Sequence, residues 1–141
     1  MNRRDIILAG MSGAETSFYT PVQIQKMFFL IDENIPELIN GKKFDFQPYH
    51  YGPFDKEVYL EIDELAKDGF TEIVFDGRKN LYKLTQKGVK KGKKVLSSLD
   101  QTASDYIKDV SNYVRSLSFT ELVSSIYKAY PHMKINSVFQ Y

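Results

Sequence analysis

The chain has no cysteine among its 141 residues, and this absence excludes several kinds of chemistry. Without a thiol the protein has no disulfide, no thiolate metal site and no cysteine nucleophile. Disulfides are typical of secreted proteins, so their absence suits a reducing compartment. We therefore expect a cytoplasmic protein, and a chain of this length buries enough surface to fold without covalent cross-links.

Long hydrophobic runs and a strong net charge are also missing. The N-terminal arginine pair is followed by an apolar run of only four residues, 6–9, which is too short for a signal-peptide core or a membrane span. The net charge is +1, which provides no overall field to attract nucleic acid or a membrane surface. We expect a soluble domain with no membrane partner.

The motifs of common enzyme classes are absent as well. The sequence has no glycine-rich phosphate loop and no serine in a nucleophile elbow. Its two histidines, His50 and His132, have no histidine or carboxylate partner at the helical spacing of metal ligands. We therefore predict a protein that is not an enzyme and that needs no cofactor and no metal.

Helix signals alternate along the chain with short strand-like runs. A first helix is predicted over about residues 2–11. Thr20 and Pro21 combine a hydroxyl N-cap with a proline at the first helical position, which predicts a second helix. Phe44 and Phe46 alternate with polar residues and predict a short strand that runs into Pro48. The runs TEIVF and LYKL, separated by DGRKN, predict a β-hairpin.

Three helices are predicted after this hairpin. Thr85 is the expected N-cap of the first, over residues 86–99. Gly88 and Gly92 lie one turn apart on it, where they lower stability unless another backbone approaches closely. The capping box SFTE begins the last helix.

This order of elements predicts an α+β, mainly helical fold. A helix that leads into a two-stranded wing is typical of a winged helix-turn-helix domain. We expect a winged-helix-like domain over residues 1–99, and a C-terminal helical extension over residues 100–141 that packs on it as one compact unit.

The segment FQPYHYGPFDKE, residues 46–57, allows three interpretations. The catalytic one places His50 in an active site, which requires a base or an orienting partner nearby. The structural one needs less, because Gly52 permits unusual backbone angles, Pro53 occupies the first helical turn and Asp55 helps to cap the helix. A third, compatible with the second, leaves part of this aromatic surface exposed as a partner site.

Charge is segregated along the chain. Residues 53–76 carry eight acids and two lysines, and phosphate would repel this segment, whose helix would enter the major groove in a winged helix. Residues 77–99 carry eight bases and no acid. The alternatives for this basic segment are a solvated helix face or a stripe that follows a phosphate backbone, formed by Arg78, Lys79, Lys87, Lys90, Lys91 and Lys94.

Four stretches carry a family resemblance: VQIQKMFFL, PYHYGPFDKEVY, YKLTQKG and YPHMKINSVF. Together they resemble the Panacea antitoxin domain and related winged-helix proteins of bacteria and phages, over roughly residues 20–139. Pro48 and Tyr49 stand where members often carry an alanine-tryptophan pair. The resemblance implies a protein associated with toxin–antitoxin pairs or mobile elements, which acts by binding rather than catalysis.

These observations predict a non-catalytic regulatory or neutralising protein that acts through protein–protein contacts, with a toxin or another effector as its partner. The alternative is a winged-helix transcriptional regulator that binds DNA through its wing and lysines. Faces of opposite charge also suit a homodimer. The predicted partner face combines the aromatic segment with the acidic helix, at Tyr49, His50, Tyr51, Phe54, Glu57, Glu61 and Glu64.

Overall fold

Six α-helices and two antiparallel β-hairpins form residues 1–139, the part of the chain that the computed structural model describes. This confirms the predicted mainly helical α+β class. The last two residues of the predicted extension lie outside the described part. None of these six helices is long and apolar enough to cross a membrane. The elements are α1 (Arg3–Met11), α2 (Pro21–Asn34), β1 (Gln47–Tyr49), β2 (Gly52–Phe54), α3 (Lys56–Lys67), β3 (Thr71–Phe75), β4 (Asn80–Leu84), α4 (Gln86–Ser98), α5 (Gln101–Ser116) and α6 (Phe119–Ala129).

The predicted helix starts are confirmed by their capping contacts. At the start of α2, the Thr20 side chain accepts a hydrogen bond from the Gln23 backbone, and the Gln23 side chain accepts one from the Thr20 backbone. Thr85 caps α4, and a second capping box begins α6. Each cap satisfies backbone N–H groups that have no partner within the helix.

The short strand predicted from Phe44 into Pro48 is confirmed only at its end, because β1 spans Gln47–Tyr49 and begins after Phe46. The two phenylalanine rings instead pack on α2. The centroid of the Phe44 ring lies 6.4 Å from that of Phe28, and the centroid of the Phe46 ring lies 5.7 Å from that of Phe29. The buried Asp32 carboxylate accepts the backbone N–H groups of residues 43 and 44 at 3.0 and 2.8 Å. The loop backbone therefore has hydrogen-bond partners without joining a sheet.

The placement of Pro53 in a helical turn is also wrong. Pro53 lies in β2, which pairs with β1 in a hairpin, and α3 begins three residues later at Lys56. Gly52 has φ +103°, a conformation that favours glycine, and it allows the chain to reverse immediately before the proline. Asp55 is the N-cap, as predicted, and its side chain accepts the Glu57 N–H at 2.9 Å.

Helix α1 lies at the centre of the core, with its residues 6–11 all buried. It packs against α3, α4 and α5, while α5 and α6 both pack on α2. A β carbon at Gly92 would meet the Leu8 carbonyl of α1, and one at Gly88 would meet the Phe70 carbonyl. The predicted close approach of another backbone at both glycines is confirmed.

Candidate binding pocket

The β1–β2 hairpin turns through His50 and Tyr51 and is held from outside by the C-terminal segment. Tyr49 stands opposite Gly52 in the hairpin register. The Val138 N–H donates to the His50 carbonyl at 3.0 Å, and the Asn136 side-chain amide donates to the Pro48 carbonyl at 3.1 Å. The hairpin is therefore anchored by residues about ninety positions away, which keeps its aromatic side chains in place.

Aromatic rings line one side of this hairpin in a connected series. Tyr49 stacks between His50, at 4.3 Å between ring centroids, and Phe54, at 5.3 Å. Phe54 contacts Tyr59 of α3 at 5.8 Å. Among the described residues, the exposed His50 imidazole makes no hydrogen bond or ion pair with a carboxylate and stacks on Tyr49.

A pocket of about 640 Å³ opens between this hairpin, the first turns of α2 and the start of α6. Its volume lies in the range of small-molecule and anchor-residue sites. Tyr51 meets Phe119 edge-to-face across it, with ring centroids 5.2 Å apart. We call this site the aromatic pocket, after the rings that line it: Tyr49, His50, Tyr51, Phe54, Tyr59 and Phe119.

Lys26 of α2 lines the aromatic pocket and is only 3% exposed. Its amine donates to the Pro53 carbonyl at 3.1 Å. Burial lowers the pKa of Lys26 to about 7, because a charged ammonium loses its hydration there. Next to it, the Gln25 side chain accepts from the Asp55 N–H at 2.9 Å and donates to the Asp55 carbonyl at 3.0 Å, which fixes α2 against the start of α3.

The structure brings together four of the seven predicted partner residues and leaves three outside the pocket. Tyr49, His50, Tyr51 and Phe54 all line it. The three carboxylates lie elsewhere on α3. Glu57 faces Arg3 of α1 at 3.7 Å, and Glu64 pairs with Lys67 at 2.9 Å, whereas Glu61 lies on the same helix without lining the pocket.

Sequence reasoning missed Lys26, Tyr59 and Phe119 as pocket residues. One signal for Lys26 was present, because it is the one basic residue of α2, a helix whose residues 24–32 are all buried. Phe119 had no local signal, since its contact with Tyr51 joins segments that are far apart in the chain.

The predicted basic residues are distributed over two places. Lys79, at the turn of the second hairpin, pairs with Asp76 at 3.3 Å and lines the aromatic pocket. Lys91 and Lys94 line a separate cavity of about 400 Å³. Lys87 is engaged locally, because it donates to the Asp68 carbonyl at 2.8 Å and lies 4.4 Å from the Phe70 ring centroid.

All five lysines of α4 are exposed, and Lys93 pairs with Glu15 at 2.7 Å. Within residues 1–139, Lys90, Lys91 and Lys94 make no ion pair. The backbone N–H of Arg78 donates to the Asp76 carboxylate, and the Arg78 guanidinium makes no ion pair among residues 1–139. Over that range, no three histidine, aspartate or glutamate side chains are grouped so that they could hold a metal ion.

Searches with this chain find no matching protein-family model, no matching curated protein and no matching solved structure.

Proposed function

We propose that the protein is a non-catalytic, antitoxin-like regulatory protein that binds a protein partner at the aromatic pocket. The observation that carries this proposal is the exposure of large rings around a preformed cavity. Tyr49 is 51% exposed, Tyr51 46% and Phe119 44%. Aromatic side chains grouped around a concave site are typical of the anchor regions of interfaces.

The proposed domain is a winged helix with α3 and the β3–β4 hairpin as its helix and wing. Helix α3 packs on β3 and leads into it, which agrees with that arrangement. The acidic side chains of α3 make it unsuited to the major groove, so the domain is proposed to serve protein recognition instead. Glu57, Glu61 and Glu64 lie outside the pocket and are not part of this proposed contact.

Site-specific cross-linking tests the proposed partner site. A photoreactive benzoylphenylalanine in place of Tyr51 is expected to capture the partner from bacterial lysate, because this ring lies at the pocket edge. Leu60 is the matched control, since it is also 46% exposed and lies on α3 away from the pocket. Equal capture from both positions would contradict the proposal.

The affinity of the identified partner then provides the quantitative test. The double variant Tyr51→Ser, Phe119→Ser is expected to weaken binding by roughly thirtyfold or more, the effect of losing central aromatic contacts. Leu60→Ser is expected to leave the affinity within about twofold. If the captured protein is a second copy of this chain, the pocket is a dimer interface and the proposal of a different partner is wrong.

DNA binding is the second candidate, favoured by the exposed and unpaired Lys90, Lys91 and Lys94. If each lysine displaces one counterion, affinity for a random-sequence duplex falls about fortyfold between roughly 50 and 200 mM salt. Replacing all three by glutamate is expected to abolish this binding in fluorescence anisotropy, while the same change at Lys56, Lys67 and Lys108 controls for net charge. Absence of binding at low salt assigns these lysines to the solvated surface.

A further inference from the structure

Basic side chains line the aromatic pocket: Lys26 in the interior, Lys79 at the turn of the second hairpin, and His50. Among residues 1–139, no aspartate or glutamate lines it. Lys79 pairs with Asp76, which lies outside the lining, at 3.3 Å, whereas Lys26 makes no ion pair within that range. This lining favours an anionic group over a cationic one.

The Lys26 ammonium has more hydrogen-bond donors than acceptors around it in the described chain. An ammonium carries three N–H donors, and within the described chain this one makes a single hydrogen bond, to the Pro53 carbonyl. Gly52 packs directly against it: a β carbon at that position would lie 3.3 Å from the Tyr127 ring, 3.5 Å from Cε and 3.7 Å from Nζ of Lys26. Because Lys26 also lines the aromatic pocket, a carboxylate bound in the pocket would provide the acceptors that a buried ammonium lacks.

Building on the proposed function, we propose that the aromatic pocket binds the C-terminal residue of the partner protein. Its terminal carboxylate pairs with Lys26, and its apolar or aromatic side chain packs against the Tyr51–Phe119 ring pair. The exposed rings extend past the cavity, which provides contact area for the residues that precede a chain terminus. A free small carboxylate would leave these rings uncovered.

The charge on Lys26 links this binding to pH. The titratable side chains that face it across the pocket are His50 and Tyr51 of the first hairpin, Tyr59 of α3 and Lys79 of the second hairpin, with Tyr127 of α6 beside Gly52. None of these is a carboxylate. A bound anion favours the ammonium, so at high pH binding requires proton uptake, and affinity falls as pH rises above about 7.

Two synthetic peptides that differ in one group test the inference: acetyl-Gly-Leu-Phe with a free carboxylate, and the same peptide as its C-terminal amide. Titrations of the ¹⁵N-labelled protein, followed at the Tyr51 and Gly52 amides, are expected to give at least tenfold tighter binding for the acid. That preference is expected to disappear in Lys26→Met, to persist in the control Lys90→Met, whose lysine is exposed and lies outside the pocket, and to decrease between about pH 6.5 and 8.5.

The outcomes separate this inference from the proposed function. Acid and amide that bind equally well, or that both fail to shift the hairpin amides, overturn recognition of a C-terminal carboxylate. Cross-linking from Tyr51 still tests partner binding independently, because it needs no terminal carboxylate. If 3-phenylpropanoate binds as tightly as the peptide acid, the pocket takes a small carboxylate and its assignment to a chain terminus is wrong.

Discussion

Replacing Gly92 by alanine is expected to lower the free energy of unfolding by about 3 kcal/mol or more. The added β carbon would meet the Leu8 carbonyl and would lie 2.8 Å from the Ser12 β carbon and 2.9 Å from the Leu8 carbonyl carbon. By helix propensity alone, alanine in a helix interior is about 1 kcal/mol more favourable than glycine. The clash outweighs this gain because its main partner is the backbone of the central helix α1, which moves only if the core is repacked.

Urea denaturation of Gly92→Ala beside Lys90→Ala measures this effect. Lys90 lies on the exposed face of the same helix, so Lys90→Ala places an alanine in α4 without a clash. Its free energy of unfolding is expected to stay within about 0.5 kcal/mol of that of the parent protein. Equal stability of the two variants would show that α4 does not pack against α1 as closely as described.

Replacing Lys26 by methionine is expected to remove a rise in stability with pH. The unfolded chain holds the lysine proton up to its ordinary pKa of 10.5, whereas burial lowers the pKa in the folded protein to about 7. Between these values the unfolded state binds more protons, so stability increases as pH rises, while below pH 7 both states are protonated and the cost of burial is complete.

The expected size of this effect is about 3 kcal/mol between about pH 6.5 and 9.5, since one pKa unit corresponds to about 1.4 kcal/mol and the slope is complete only above about pH 7. The measurement compares denaturation of the parent and Lys26→Met across that range, with the exposed Lys90→Met as the matched control. The upper limit lies below the raised pKa values of the buried Tyr19 and Tyr59, whose ionisation opposes folding. Parallel profiles for the parent and Lys26→Met would mean that the Lys26 ammonium is hydrated or paired in the folded state.

The features that the sequence predicted well depend on neighbours a few residues apart. Thr20, Asp55 and Thr85 cap helices through contacts with backbone two or three residues ahead. The β3–β4 hairpin follows from its turn residues and from the strand-like runs on either side. The close approach at Gly88 and Gly92 was predictable for a related reason, because two glycines in a helix interior are unfavourable without a packing role.

The errors around the first hairpin come from contacts that a local pattern does not contain. Phe44 and Phe46 alternate as strand residues do, but their rings pack on α2 and the buried Asp32 satisfies the adjoining backbone. A Gly-Pro pair suits both a helix start and a strand, and here it lies in a strand that pairs with β1, in a hairpin whose His50 carbonyl accepts a hydrogen bond from Val138.

The amino-acid sequence by itself determined the helix caps, the apolar faces, the second hairpin and the segregation of acidic from basic residues, because each is a property of adjacent or periodic positions. Only the tertiary structure decided that Lys26 would be buried beside Gly52, that Phe119 would meet Tyr51, and that the acidic side chains of α3 would lie outside the pocket. Burial and charge environment depend on which distant segments pack together, and that packing is a property of the whole folded chain.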